Sequence, residues 1–165
     1  MENRIALQHR IRILLIFFMC ALAASGLTAI PLQWELKILM PLFQQGSQFN
    51  SFFPALSNWL EYINDGVQNG YGQYPFLAYG TDWLAFGHIA IAIAFAGVLR
   101  DPIRNIWVIE FGMIACVLII PWTLIFGAIR GIPFFWQLID MSFGVFGMIP
   151  LWLIHHDISL MAREL

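Results

Sequence analysis

Few side chains in this 165-residue sequence sit where they could do chemistry from inside an apolar segment. His88, Glu110 and Asp140 are the titratable ones, and ionisable groups in such segments are costly enough that each is a functional hypothesis. At about 1.5 Å of rise per helical residue, His88 lies roughly 9 Å below Asp82, and Asp140 about 10 Å below Pro133. Both segments run inward from the outer side, so the spacing predicts matched depth in the outer half of a bilayer. Asp82 and Arg130 lie above them, near the outer surface, and Gln137 stands one turn above Asp140. A histidine and an aspartate at one depth can relay protons, orient a polar head group, or act as general acid and base. They can equally form a polar clasp between two helices. Glu110 stands one to two turns in from the inner surface, where Arg100 and Arg104 can reach it as ion-pair partners. The sharper reading makes it the inner half of a proton path.

Other chemistries find little support. No P-loop, GxSxG, HExxH or dinucleotide fingerprint occurs. Ser25 and Ser142 lie in apolar segments with no base beside them. Cys20 and Cys116 both fall mid-segment without CxxC spacing and read as small packing residues. Haem needs two histidines from separate helices at one depth. His88 is in the outer half, whereas His9, His155 and His156 lie at the inner surface. His155 and His156 are adjacent and project about 100° apart on a helix, so they make no metal site with Asp157. No cofactor is assigned; haem and quinone are the two weighed.

The elements that must position these residues follow from composition. Hydrophobic residues make up 60% of the chain and charged residues 11%, against about 25% charged in soluble domains. The mean hydropathy is +0.75. A soluble chain of this size cannot bury that much apolar surface. The net charge of −2, with no basic patch, argues against a nucleic-acid partner. Crossing the roughly 30 Å hydrocarbon core takes about 20 apolar residues as a helix. Four segments qualify, at about 13–31, 83–99, 106–129 and 134–154. The expected fold is all-α: one transmembrane domain over 1–165, an integral membrane four-helix bundle.

Arg4, Arg10, Arg12, Arg100, Arg104 and Arg163 fall on one side of these spans and only Lys37 and Arg130 on the other. By the positive-inside rule both termini are cytoplasmic, in the cell (inner) membrane. The first span has a basic start and an Ala21-Leu22-Ala23 triplet resembling a signal-peptide cleavage site. Its apolar run continues through Ile30, so it reads as an uncleaved anchor. Residues 33–79 form a long outer loop. Leu56, Trp59, Leu60, Ile63 and Val67 recur there at helical spacing after Pro54, predicting an amphipathic helix. A shorter helix is expected from Trp34 to Leu39, broken at Pro41. Asp101 and Pro102 are expected to open the third span, and Thr81 or Asp82 to cap the second.

The leading functional expectation is a small polar intramembrane pocket open to the outer side. Asp82, His88, Arg130, Gln137 and Asp140 line it, and it binds a small amphipathic ligand or handles protons through the His/Asp pair. The first alternative is an accessory or structural subunit of a larger membrane complex, its partners being lipid and other membrane subunits. The second is a small lipid- or quinone-active membrane enzyme.

Overall fold

A computed structural model describes residues 2–44 and 46–163. Seven α-helices occur among them: α1 (Glu2–Leu27), α2 (Leu32–Phe43), α3 (Gln48–Phe52), α4 (Pro54–Gln73), α5 (Ala78–Arg100), α6 (Ile106–Arg130) and α7 (Phe134–Arg163). A single 3₁₀ turn, Pro75–Leu77, precedes α5. Four segments are long and apolar enough to cross a membrane: Arg4–Leu27, Pro75–Arg100, Ile106–Arg130 and Phe134–Arg163. This agrees with a membrane-embedded, all-helical chain.

The helix ends differ from the sequence-based expectations in instructive ways. The first helix begins well before Ile13, at Glu2, because its polar opening turns carry a buried stripe of their own. The fourth continues past Ile154 to Arg163 for the same reason. α2 runs through Pro41 instead of stopping there. Asp101 and Pro102 lie in the turn and α6 starts at Ile106. The Asp101 side chain accepts from the Arg104 amide at 3.0 Å within that turn. α5 opens at Ala78, so Thr81 is already helical and donates its hydroxyl to Ala78 O at 2.7 Å.

Contacts divide the chain into two compact units, Met1–Leu22 with Ile91–Leu165, and Ala23–Ala90. In the first unit α1 contributes Leu7, Ile11 and Leu15, four residues apart, to one buried cluster. Phe95 and Val98 of α5 and Val108, Ile109 and Cys116 of α6 belong to it. Leu151, Ile154, Ile158 and Met161 of α7 complete it, spaced three, four and three. These are one-face helical periods. Inside lipid, apolar burial does not drive helices together, so close approach at small residues matters. A Cβ placed on Gly144 would lie 2.5 Å from Cys116 O, and one on Gly112 would lie 2.8 Å from the Phe95 ring. The α6–α7 turn closes at Gly131, whose φ of 66° favours glycine. The Ile132 amide donates to Gly127 O at 2.9 Å and the Gly131 amide to Ala128 O at 3.3 Å, a Schellman closure.

The second unit holds the end of α1, the helices α2 to α4 and the first half of α5. α4 covers the stretch whose spacing predicted a helix, with Ser57 and Leu60 buried. The Gln68 side chain donates to Gln33 O at 3.0 Å, tying α4 to α2. Gly26 is where α1 meets α5: a Cβ there would lie 2.5 Å from His88 Cβ and 3.2 Å from Ala85 O.

Candidate functional site

The strongest polar arrangement in the first unit joins α1 to α7. Asp157 comes three residues after Ile154 and four before Met161, so it shares the buried stripe of α7. Its side chain is 0% exposed. Arg10 lies three residues after Leu7, at the edge of the α1 stripe, with 54% of its side chain exposed. Its Nε donates to Asp157 Oδ2 and an Nη to Oδ1, a bidentate fork. Such pairs are the strong, geometry-specific form of ion pair. His156 Nδ1 lies 3.5 Å from Asp157 Oδ1, and the His156 ring stacks on Trp152 with centroids 6.0 Å apart.

One residue earlier on α7, His155 points elsewhere. Its Nε2 lies 3.4 Å from Glu110 Oε1 on α6. Glu110 therefore pairs with histidine, where an arginine of the α5–α6 turn was the expected partner. The reason is that α7 outruns its predicted end by two turns and brings His155 level with Glu110. His155 turns to Glu110 on α6, while His156 stacks on Trp152 beside the Asp157 carboxylate that holds Arg10. Among the described residues no three His, Cys, Asp or Glu side chains group to hold a metal ion.

The remaining candidates distribute between the units. In the first, Gln137 is buried, at 6% exposure, and its amide donates to Ile132 O at 2.8 Å. Its carboxamide fills the space that a side chain on Gly127 would need. Gln137 thus locks the α6–α7 hairpin. Asp140 is half-buried and makes no side-chain hydrogen bond or ion pair among the described residues. Arg130 ends α6 exposed. In the second unit, His88 is half-buried over Gly26 and its Nδ1 bonds to Leu84 O of its own helix at 2.8 Å. Asp82 is exposed on α5. With Tyr79, Trp83 and Phe86 it lines a shallow cavity of about 210 Å³.

Arg10 and Asp157 escaped the sequence reading because Asp157 was placed beyond the fourth span. A signal was present. The spacing Leu151, Ile154, Ile158, Met161 carries the apolar face past Asp157 and puts the carboxylate on it. Comparison with protein-family models, curated proteins and solved structures finds no match.

Proposed function

We propose that this chain is a structural or accessory subunit of a larger membrane complex. The observation that carries this reading is the buried Asp157 held by Arg10. This fully buried carboxylate serves to join two helices. Gln137 in the first turn of α7 and Asn105 on the α5–α6 turn are used the same way. The Asn105 amide donates to Gly97 O at 3.0 Å and to Asp101 O at 2.9 Å. Groups spent on packing are what a scaffold needs, whereas turnover needs groups left available. Purification of the full chain in a mild detergent, followed by native mass and absorbance measurement, tests this. The expected result is a stoichiometric membrane-protein partner that is lost when Arg10 is replaced. A chain that purifies alone with bound quinone or haem overturns it.

A second reading keeps proton handling, on the strength of Asp140, which is half-buried without a protein partner among the described residues. Proteoliposomes loaded with a pH dye report it. Wild-type chain should conduct protons faster than Asp140→Asn and His88→Ala by tenfold or more, on the order of 1.4 kcal/mol. Equal rates remove this reading and leave the structural one standing.

A further inference from the structure

Tyr79, Asp82, Trp83 and Phe86 stand at i, i+3, i+4 and i+7 of α5, one face of a helix. Together they line the 210 Å³ cavity. The indole of Trp83 is nearly perpendicular to both neighbouring rings. It lies 6.0 Å from Tyr79 at 89° and 5.5 Å from Phe86 at 82°. All three rings are more than half exposed, at 62%, 56% and 59% for Tyr79, Trp83 and Phe86. Asp82 is exposed beside them and has no hydrogen bond or ion pair among the described residues. It falls within Pro75–Arg100, a segment apolar enough to cross a membrane.

Asp82 is the eighth residue of that segment, near the level of lipid head groups, where a carboxylate without a protein partner is open to a cation. Aromatic faces attract cations, and quaternary ammonium groups are the ligands most often held this way. The volume also discriminates. Drug-sized ligands occupy pockets of about 300–1,000 Å³. The 210 Å³ here lies below that range, which suits a head group and not a quinone ring with its tail.

We propose that this face of α5 binds the ammonium head group of a zwitterionic membrane phospholipid, ethanolamine or choline. Asp82 is the counter-ion, and Tyr79, Trp83 and Phe86 are the cation–π walls. The lipid is chosen over a soluble amine because the face belongs to an apolar spanning segment, where phospholipid head groups supply the ammonium. A belt of interfacial aromatics explains the rings alone. It does not explain the unpaired carboxylate between them, and it selects no head group. The site rests on one helix, so it stands whether or not the chain is a structural subunit.

The test uses the full chain in nanodiscs of phosphatidylglycerol mixed with phosphatidylethanolamine or phosphatidylcholine, with retained lipid counted by native mass spectrometry. Wild-type chain should retain zwitterionic lipid in preference to phosphatidylglycerol. Asp82→Asn should weaken that preference about tenfold and Trp83→Phe about threefold. Asp82→Glu should keep most of it, and this charge-retaining variant keeps the test readable if Asp82→Asn fails to fold. Choline chloride should not displace the lipid. Unchanged retention in Asp82→Asn, no preference over phosphatidylglycerol, or displacement by millimolar choline chloride each overturns the proposal. The last result would assign the face to a soluble ammonium ligand.

Discussion

At Asp157 the two halves of an ion pair are unequally placed. The carboxylate is fully buried, while the side chain of Arg10 is half in the open. Removing Arg10 strands a buried charge, whereas removing Asp157 leaves a guanidinium free to turn outward. Breaking a buried pair from one side is more damaging than replacing both members with apolar residues. Arg10→Gln should therefore lower the unfolding temperature more than Asp157→Asn, and Arg10→Met with Asp157→Leu should recover most of the loss. A maleimide dye reports this directly, since Cys116 is buried and Cys20, the other free thiol, is exposed and can be replaced by serine. Glu110 and His155 offer a contrast. They are 51% and 33% exposed and 3.4 Å apart, so Glu110→Gln should change stability by under about 1 kcal/mol in the same assay. That Glu110 sits inside an apolar segment was legible from sequence. Its partner was not, because composition fades over the polar end of α7 while the helix itself continues.

The helices meet at glycines, and the glycines differ in what opposes them. On Gly144 a Cβ meets backbone, Cys116 O at 2.5 Å, which can yield only if α6 and α7 separate. On Gly127 it meets the Gln137 side chain, which can move at the expense of its hydrogen bond to Ile132 O. On Gly147 it meets Cys116 Sγ at 3.1 Å, a small adjustment. Alanine substitution should then destabilise in the order Gly144, Gly127, Gly147. Overpacking of about 1–3 kcal/mol is expected at the first, close to 1 kcal/mol for the lost hydrogen bond at the second, and less at the third. Thermal unfolding followed by circular dichroism in detergent checks the order. The existence of α4 after Pro54 was readable from spacing. The run of α2 through Pro41 was not, and it is short: Pro41 is the tenth of twelve residues, so the helix continues only to Phe43 beyond it. Helix starts drifted at Ala78 and Ile106 because several turn-forming residues competed to begin each helix.

Over the whole chain, four apolar segments were plain from hydropathy alone, since lipid leaves the backbone few alternatives to a helix. The distribution of arginine leads to an outcome that can be measured: in sealed right-side-out vesicles, cysteines introduced near Arg4 and Arg163 should resist a membrane-impermeant maleimide. Cysteines within α4 should react, and reaction at either terminus would reverse the orientation. What hydropathy could not supply is which residues pair across the fold, because pairing depends on helix register and not on composition. Arg10 and Asp157 are separated by 147 positions. At a synthesis rate of about 5–20 residues per second, Arg10 waits roughly 7–30 s before its partner leaves the ribosome. Throughout that interval the α1 stripe of Leu7, Ile11 and Leu15 lacks the α7 residues it packs against. A nascent chain released before residue 157 would expose an unmatched arginine beside an open apolar face, the kind of surface on which quality-control proteases act.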